Sequence, residues 1–224
     1  MKAGGSMAAI PEKTVGRLSL YRRILGRLVA ERRTHLHSHD LAALSGSTAA
    51  QVRRDLMTIG YQGSPARGYD VQGLIQLIDT MLDGPEVQPI GLVGVGNLGR
   101  AMITYFSGRR PNLKIVAAFD DDADKVGRHV GGCPVHRVSE VERVVREERI
   151  RIGVVAVPAE VAQKVTDLLV AGGVRGILNF APVALRVPRN VHVEDLDMTM
   201  SMEKVAYYAR TGPVGDQEER RDER

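Results

Sequence analysis

The sequence has little cysteine, few aromatic residues and no long apolar run. Cys133 is the only cysteine, so no internal disulfide can form, and a buried structural thiol in a reducing cytoplasm is expected. Aromatic residues are 4% of the chain, but its 43% hydrophobic and 26% charged residues are typical of an ordinary soluble protein. No apolar run approaches the ~18 residues that a membrane span requires, and no apolar leader segment is evident. We therefore expect a cytoplasmic protein without a membrane partner.

An excess of positive charge is confined to the front of the chain. Residues 1–67 carry 11 lysines and arginines against 4 acidic residues, whereas the remaining residues carry 20 against 23. A basic front joined to a mildly acidic back indicates that only the front meets a polyanion such as DNA. A basic face that is simply solvated would give the same counts, so charge alone leaves both interpretations open.

The length and one turn-rich segment predict two domains. At 224 residues the chain suits two small domains or one large one, each able to bury its own core. Residues 83–85 follow a predicted helix over 73–82 and mark the boundary. We predict a first domain over 1–84, a second over 85–195, a terminal helix over 196–210 and a disordered charged tail over 211–224.

A glycine-rich loop organises the second domain. The apolar residues 90–93 are typical of a buried parallel strand, and they lead into glycines at G-x-G-x-x-G spacing. Gly94 permits a tight turn, Gly96 lets the backbone approach a pyrophosphate, and Gly99 allows a helix to pack closely on the strand. The helix predicted from Arg100 offers free N–H groups to the phosphates at its N-terminus. The predicted cofactor loop comprises Gly94, Val95, Gly96, Asn97, Leu98 and Gly99.

Acidic residues after the next apolar strand predict which cofactor the loop holds. Residues 115–119 form that strand, and Asp120 and Asp121 follow it, about 20 residues past the glycines. A carboxylate there can accept hydrogen bonds from an adenosine ribose and would repel a 2′-phosphate, which favours NAD(H) over NADP(H). The alternative is a tight turn followed by a solvated acidic turn.

Strands and helices alternate up to residue 195 and predict a Rossmann-like parallel sheet. Strands are predicted over 134–137, 151–157, 176–180 and 191–193, with helices over 139–148, where Ser139 is the cap, and 159–171. Ligands of open parallel sheets lie outside the carboxyl ends of the strands. The nicotinamide is therefore expected near Val157, Pro158, Asn179, Ala181 and Pro182, although such segments are more often simple connections.

The front of the chain has the pattern of a helix-turn-helix unit. Apolar residues recur at helical spacing over 17–33, and a short second helix over 39–44 is predicted with Ser38 as its N-cap. Thr48 caps a third helix, in which Gln51 completes a capping box. We therefore predict a domain whose third helix enters a major groove.

Outward-facing residues of the third helix are candidates for DNA contacts. Gln51, Arg53 and Arg54 project from its N-terminal half, close to Thr48. The turn-rich segment 61–71 is typical of a short hairpin, or wing, from which Arg67 can reach a phosphate backbone or a minor groove. An ordinary loop is an equally open interpretation of that segment.

The predicted terminal helix over 198–209 is apolar on all sides. Three methionines, a valine and two tyrosines leave it without a polar face. Such a helix must be buried against something, and a partner subunit is the expected cover.

These features together resemble the redox-sensing transcriptional repressors of the Rex family. The resemblance covers about residues 10–209, and it is carried by residues 51–56, residues 94–101, Val157-Pro158 with Ala162-Gln163, and residues 176–182. It implies an α/β homodimer in which a winged helix-turn-helix domain precedes a Rossmann-like domain, with the C-terminal helix swapped onto the partner. It further implies that the repressor occupies palindromic operator DNA when NAD⁺ dominates and that NADH releases it.

The resemblance also assigns roles to individual residues. Arg53 and Arg54 would read DNA, and Met198 lies where the family inserts an apolar side chain against the partner's nicotinamide. A polar switch between domains and subunits would comprise Arg23, Tyr105 and Asp197.

Two positions depart from the family pattern. Pro65 replaces a basic residue of the wing, which would move the DNA contact of the wing to Arg67. Asn97 replaces an arginine that some members carry, so any switch contact made by that arginine is absent.

Two other functions remain open on the sequence alone. An oxidoreductase would share the cofactor fold, but residues 90–195 leave no room for a substrate domain, and His136 and His192 have no evident acid partner. No catalytic residue and no metal site are predicted. A regulator that reads coenzyme A would also share the fold, and Asp120 argues against its phosphorylated ribose.

Overall fold

The computed structural model describes residues 10–83, 86–108 and 112–211. The chain divides into two compact units, one up to Glu86 and the other from Val87. Two residues of the predicted boundary, Gly84 and Pro85, lie outside the described residues. Among the described helices, none is long and apolar enough to cross a membrane.

The described part of the first unit contains four helices and a two-stranded antiparallel sheet. The helices are α1 (Glu12–Ala30), α2 (Ser38–Ser45), α3 (Ala49–Thr58) and α4 (Val71–Asp83), and the strands are β1 (His35–Leu36) and β2 (Tyr69–Asp70). The apolar stripe predicted for α1 is buried, since Leu18, Tyr21, Leu25 and Leu28 are at most 6% exposed. α1 begins at Glu12, whose negative charge is favourably placed in the first turn.

The predicted caps of α2 and α3 have different outcomes. His37 is the N-cap of α2, because the Asp40 carboxylate accepts its backbone N–H at 2.8 Å, and the predicted cap Ser38 is already helical. The cap of α3 is confirmed, since the Thr48 hydroxyl accepts the backbone N–H of Gln51 at 3.1 Å.

The hairpin predicted over 61–71 is replaced by a different pairing. β2 pairs with β1, which precedes α2 in the chain, and within the segment itself an isolated bridge joins Ser64 to Gly68. The pairing follows from burial, because Leu36 and Tyr69 are 1% and 9% exposed in the helical core. The segment is therefore a closed loop attached to a strand that the sequence pattern did not reveal.

The described part of the second unit contains a seven-stranded sheet and four helices. The strands are β3 (Gln88–Val93), β4 (Leu113–Asp120), β5 (His129–Val130), β6 (Cys133–Arg137), β7 (Ile152–Val155), β8 (Gly176–Asn179) and β9 (His192–Asp195). The helices are α5 (Asn97–Phe106), α6 (Val141–Glu147), α7 (Ala159–Gly172) and α8 (Met198–Thr211). The strand order is β5-β6-β4-β3-β7-β8-β9, and β5 alone runs antiparallel to its neighbour.

Successive residues of each central strand enter two separate cores, because side chains alternate across a sheet. Val93, Ala117 and Val155 pack in one core with α6 and α7, whereas Leu92 and Ala118 pack in the other with α5. Helices therefore cover both faces of the sheet. The predicted Rossmann-like parallel sheet is confirmed.

Two predicted helix starts in this unit are wrong. α5 begins earlier than predicted, at Asn97, because Gly96 is its N-cap. Ser139 does not cap α6, since it lies inside a short 3-10 turn in which the Glu140 carboxylate accepts the backbone N–H of Arg137 at 3.1 Å. In the second case, an acidic side chain closes the turn that a serine was expected to close.

α8 carries apolar side chains without a cover. None of its residues is buried, and Met198, Met200 and Met202 are 60%, 47% and 68% exposed. The predicted helix is confirmed and extends to Thr211, where the tail was expected to start. The rest of that predicted tail lies outside the described residues.

Candidate nucleotide site and nucleic-acid interface

The centre of the sheet contains a topological switch point. From β3 the chain moves to β4 and β6 on one side, and later to β7 and β8 on the other. In such sheets, ligands lie in the crevice outside the carboxyl ends of the strands, where the order reverses. The glycine loop follows β3 directly and therefore borders this crevice.

The three glycines of the loop meet different constraints. Gly94 has a φ of +98°, and a Cβ there would overlap the carbonyl oxygen of Ala156. A Cβ on Gly99 would overlap the carbonyl oxygen of Gly94, so α5 packs directly on the loop. A Cβ on Gly96 would have nothing within 4 Å. The fold therefore requires Gly94 and Gly99, whereas Gly96 keeps the N-terminus of α5 open to a ligand.

Asp120 closes the loop from the neighbouring strand. Its Oδ2 accepts the backbone N–H of Val95 at 2.8 Å and a hydrogen bond from Lys125 Nζ at 3.1 Å, and its Oδ1 accepts the backbone N–H of Asp122 at 2.9 Å. Burial raises the pKa of Asp120, but these donors outweigh burial and hold the pKa below its usual value. The ionised carboxylate thus holds the loop, a role that the sequence pattern did not predict. The sequence did not predict the contact between Lys125 and Asp120, because Lys125 lies in an irregular turn after β4 that has no periodic pattern.

A cavity of about 330 Å³ opens beside the loop. Its apolar part is lined by Phe119, Val138, Val157, Val161 and Val165, and its polar part by Asp120, Asp121, Lys125 and Lys164. An apolar cavity next to an open helix N-terminus fits an adenine nucleotide, whose ring would lie in the apolar part and whose phosphates would lie at the helix. The predicted cofactor residues that line this cavity are Gly94, Gly96, Asp120, Asp121, Val157 and Pro158.

The other predicted loop residues lie beside the cavity. Val95 is fully buried and contributes its N–H to Asp120. Leu98 is half-buried, and Asn97 is the exposed first residue of α5. Within the described residues, no group of three or more His, Cys, Asp or Glu side chains could hold a metal ion.

Asn179 was predicted to face the nicotinamide, but its side chain is bound within the protein. It is 1% exposed, and its Nδ2 donates to Asp195 Oδ1 at 2.7 Å and to the carbonyl oxygen of Val183 at 2.9 Å. Its Oδ1 accepts the backbone N–H of Ala181 at 3.0 Å. The cavity lining includes neither Asn179 nor Ala181 nor Pro182. Asn179 instead ties the loop after β8 to the end of β9.

An open groove of about 580 Å³ lies along the base of α8 and contains two of the predicted switch residues. Asp197 caps α8, because its Oδ1 accepts the backbone N–H of Met200 at 2.8 Å. Met198 lines the groove close to Phe180, which directly follows β8. The start of α8 therefore lies next to the carboxyl end of a sheet strand.

The other two predicted switch residues belong to different units. Tyr105 on α5 is 56% exposed, and its ring meets the ring of Phe106 edge-on at 5.4 Å. Arg23 is exposed on α1. Both side chains lie at the surface of their own units.

α2 and α3 place the predicted DNA contacts on one exposed surface of the first unit. Thr48 caps the N-terminus of α3, and Arg53 and Arg54 are exposed in the middle of the helix. Arg53 Nη1 donates to Ser38 Oγ on α2 at 3.0 Å. Arg54 Nη2 donates to Gln51 Oε1 at 2.9 Å.

A buried carboxylate fixes α3 on α1. Asp55 is 1% exposed and accepts hydrogen bonds from Arg17 Nε and Nη2 at 2.6 and 2.7 Å. It also accepts from the Tyr21 hydroxyl at 2.9 Å, the Thr14 hydroxyl at 3.3 Å and Gln51 Nε2 at 2.9 Å. Because the side chain of Gln51 is turned to Asp55, it does not complete the predicted capping box.

The pKa values of Asp55 and Tyr21 are both shifted. Burial raises the pKa of this carboxyl, but hydrogen bonds from Arg17, Gln51 and Tyr21 outweigh burial and hold the pKa below its usual value. Burial raises the pKa of Tyr21 to about 12. One sequence signal was available, since Asp55 falls on the inward face of α3 next to Leu56.

Arg67 lies in the closed loop that replaces the predicted wing hairpin. Ser64 and Gly68 exchange backbone hydrogen bonds at 2.7 and 2.8 Å across the base of this loop. Gly68 has a φ of +75°, and a Cβ there would overlap the carbonyl oxygen of Leu36. Pro65 and Arg67 are exposed between them, so the loop presents a cation to solvent.

Two family models match the chain, one in each unit. A model described as a putative DNA-binding protein N-terminus matches residues 9–56, which include the helix-turn-helix surface. A model described as a CoA binding domain matches residues 86–183, which include the glycine loop and the cavity.

Curated relatives match nearly the whole chain. A redox-sensing transcriptional repressor Rex from Desulforamulus reducens is 38% identical over 198 residues, which are 88% of this chain and 94% of the relative. The protein of the same name from Chloroflexus aurantiacus is 38% identical over 88% of this chain and 93% of its own. The names of these relatives describe transcriptional repressors.

Solved structures match over a similar length. A crystal structure of RSP in complex with beta-NAD⁺ and operator DNA has a TM-score of 0.85 at 29% identity and covers 91% of this chain and 94% of that chain. RSP, described as a Rex-family repressor, in complex with beta-NADH has a TM-score of 0.81 at 28% identity, with 91% and 96% covered. The chain belongs to the Rex family of redox-sensing transcriptional repressors.

Proposed function

We propose that this chain is a transcriptional repressor that senses the ratio of NADH to NAD⁺. As a homodimer it binds operator DNA when it is free of nucleotide or bound to NAD⁺, and NADH releases it. The observation that carries the proposal is that one member of this family has both an arginine-bearing helix-turn-helix surface and a nucleotide cavity beside a glycine loop. Operator DNA and NAD(H) meet in the cytoplasm, where we expect the protein to act.

The domains divide this work. Residues 1–84 would bind DNA, residues 85–195 would bind NAD(H), and residues 196–210 would form the helix that crosses to the partner subunit. The uncovered methionines of α8 support that crossing, because a second copy of the chain would remove them from water. We assign no role to the charged tail from residue 211.

The nucleotide would be held by backbone and side-chain groups of the second unit. The N-terminus of α5, from Gly96 to Leu98, would donate N–H groups to the pyrophosphate, and the apolar part of the cavity would take the adenine. Asp120 would keep the loop closed, which leaves the exposed Asp121 as the acceptor for ribose hydroxyls. The two carboxylates together would disfavour a 2′-phosphate, and hence NADP(H).

The response to redox state rests on binding, since no chemical step is required. NADH and NAD⁺ differ by a hydride and by the positive charge of the ring. A ligand can shift a protein between two states only through its different affinity for them. We propose that the nicotinamide lies near Pro158, Ala181 and Pro182, and that Met198 of one subunit packs against the nicotinamide held by the other.

The DNA contacts would come from α3 and from the loop around Arg67. Thr48 at the N-terminus of α3 would contact phosphate, and Arg53 and Arg54 would reach base edges in a major groove. Arg67 would contact phosphate or a minor groove from the loop tip. Pro65 takes no part in this contact, because it carries no donor.

Fluorescence anisotropy with a labelled operator tests the proposal. Protein is titrated on the duplex without nucleotide and with NAD⁺, NADH or NADPH. We expect binding in every condition except NADH. Binding that is equal in all four conditions would refute NADH sensing, and the absence of DNA binding would refute the repressor.

The polar switch predicts a separation of binding from response. We expect Tyr105→Phe to bind NADH and to require a roughly tenfold higher NADH concentration for operator release, because the two states would lose part of their coupling. Calorimetry measures the first quantity and anisotropy the second. Thr104→Ala, a change at the neighbouring exposed position of α5, is the matched control and should leave both unchanged. A normal release curve for Tyr105→Phe would remove Tyr105 from the switch.

A second candidate effector is coenzyme A, which the name of the matching family model favours. A thermal-shift panel of NAD⁺, NADH, NADPH and coenzyme A distinguishes the two. We expect NADH to raise the melting temperature most. A larger rise with coenzyme A would identify coenzyme A as the effector in place of NADH. We propose no catalytic activity, so steady consumption of NADH with a carbonyl substrate would contradict this view.

A further inference from the structure

Hydrogen bonds link the side chains of Asp55, Gln51 and Arg54 in series, from the buried face of α3 to its exposed face. Asp55 is 1% exposed and its Oδ1 accepts a hydrogen bond from Gln51 Nε2 at 2.9 Å. The same amide accepts a hydrogen bond through its Oε1 from Arg54 Nη2, also at 2.9 Å. Gln51 therefore lies between a buried anion and an exposed cation.

The direction of these hydrogen bonds is set by chemistry. An ionised carboxylate can only accept, so the amide of Gln51 must turn its NH₂ group inward to Asp55 and its oxygen outward. A guanidinium can only donate, so Arg54 completes the series by donating to that oxygen. Asp55 is itself held by Arg17 at 2.6 and 2.7 Å and by Tyr21 at 2.9 Å, which fixes the inner end of the series.

This arrangement changes what α3 can offer to DNA. A glutamine that is free to turn can pair with adenine through one donor and one acceptor, whereas an arginine pairs with the two acceptors of guanine. Here one of the two N–H groups of Gln51 is bound to Asp55, and its oxygen accepts from Arg54, so the amide is held in one orientation and is not free to turn toward a base. With the hydrogen bond to Gln51 formed, four of the five N–H groups of Arg54 remain for other acceptors.

Arg53 has no share in this series. Its Nη1 donates to Ser38 Oγ on α2 at 3.0 Å, so its orientation depends on a different helix. The two neighbouring arginines of α3 can therefore be disturbed separately.

We propose that Gln51 is a positioning residue, held by Asp55, that orients Arg54 to read guanine and does not itself read adenine. This inference rests on the proposed function, because it assumes that α3 enters the major groove. It adds a base preference for one arginine and a reason why an acidic residue is buried beneath a DNA-binding helix.

The test compares base discrimination among variants of the full-length protein. Wild-type protein with NAD⁺ first selects an operator from a randomised palindromic pool. Duplexes in which each base pair is changed in turn, G·C to A·T and A·T to G·C, are then titrated by anisotropy. The pair that Arg54 reads is identified as the one at which Arg54→Ala loses discrimination, and there we expect wild type to discriminate by about tenfold.

The expected result for Gln51→Ala is loss of discrimination at that same pair, with ordinary discrimination elsewhere. The double variant Gln51→Ala/Arg54→Ala should lose no more than Arg54→Ala, since both act on one contact. Gln51→Met, which keeps the length of the side chain without its amide, should behave as Gln51→Ala does. Ser38→Ala, which releases Arg53 instead, is the matched control and should leave discrimination at this pair unchanged.

Three outcomes would overturn the inference. Full discrimination by both Gln51→Ala and Gln51→Met would show that Gln51 does not position Arg54. Loss of discrimination at an A·T pair, additive with the effect of Arg54→Ala, would make Gln51 a direct reader of adenine. Arg54→Ala could also change no pair. Failure of wild type to select an operator or to release it with NADH is a separate result, which refutes the proposed function instead.

Discussion

Asp55 in the first unit and Asp120 in the second are both shielded carboxylates with lowered pKa values, but their donors differ in kind. Asp55 receives its hydrogen bonds from side chains, above all from Arg17 and Tyr21. Asp120 receives two of its hydrogen bonds from backbone N–H groups, one of them in the glycine loop that it holds. The first carboxylate fixes a helix on a helix, and the second fixes the path of the backbone.

The kind of donor determines which substitutions would destabilise each unit. Side-chain donors can be removed one at a time, so the first unit should lose stability in steps as the partners of Asp55 are changed. A backbone donor survives every substitution except proline, so the loop in the second unit depends chiefly on the glycines that bring its backbone to Asp120. Three predictions follow this contrast, in order of expected effect.

The largest effect is expected for Asp55→Ala. The change leaves Arg17 without its carboxylate partner inside the first unit, and we expect a loss of about 3 kcal/mol in the free energy of unfolding. This is the lower end for a buried pair, because the Arg17 side chain is 26% exposed and keeps some contact with water. Hydrogen exchange measures the effect unit by unit, and the amides of α1 and α3 should lose protection while those of β3 and α5 keep it.

Asp79→Ala is the matched control for that loss. Asp79 is a carboxylate of the same unit that pairs with Arg22 at 3.3 Å, but its side chain is 44% exposed. We expect less than about 1 kcal/mol from this change. Equal losses for Asp55→Ala and Asp79→Ala would show that burial does not set the strength of these pairs.

A smaller effect on stability is expected for Gly94→Ala, and a different one for Gly96→Ala. Gly94→Ala should cost about 2 kcal/mol, because alanine is strained at a φ of +98° and its Cβ would overlap the carbonyl oxygen of Ala156. Gly96→Ala should change unfolding by less than about 1 kcal/mol, since its Cβ meets open space. That Cβ would nevertheless occupy the space proposed for the pyrophosphate and weaken NADH binding. Urea unfolding measures the loss of stability, and calorimetry measures the loss of NADH binding. A Gly94→Ala variant as stable as the wild type would contradict the conclusion that the fold requires glycine at position 94.

The smallest of the three effects is expected for Tyr21→Phe. Phenylalanine keeps the buried ring and removes one donor from Asp55, which should cost about 1.5 kcal/mol. Tyr61→Phe is the control, because the Tyr61 hydroxyl donates to the carbonyl oxygen of Asp70 at 3.2 Å in an exposed position. Thermal unfolding of both variants measures the difference. A larger loss for Tyr61→Phe would break the link between burial and hydrogen-bond strength.

Much of the fold could be predicted because its signals are local. The apolar spacing of α1, the cap Thr48 and the glycine spacing after β3 each lie within a few consecutive residues. The pairing of β1 with β2 could not be predicted, since β1 is two residues long and pairs across α2 and α3. A two-residue strand has no period to detect.

The candidate sites were predicted less completely than the fold. Asp120 and Gly96 line one cavity, but the hydrogen bond from Val95 to Asp120 depends on how β3 and β4 lie together. Asn179 was assigned to the nicotinamide because it ends a parallel strand, and its buried amide is turned to Asp195 instead. Position on a strand predicts the edge of a sheet, and packing decides the direction of a side chain.

The sequence alone accounts for most of the helices and strands in their order, for the helix-turn-helix surface and for the glycine loop, because periodicity and turn chemistry act over short stretches of chain. Only the tertiary structure decided which donors meet the two carboxylates. Arg17, Tyr21 and Thr14 lie 38, 34 and 41 positions from Asp55, and Val95 lies 25 positions from Asp120. A buried charge needs several donors at once, and the chain can supply them only by bringing distant segments together.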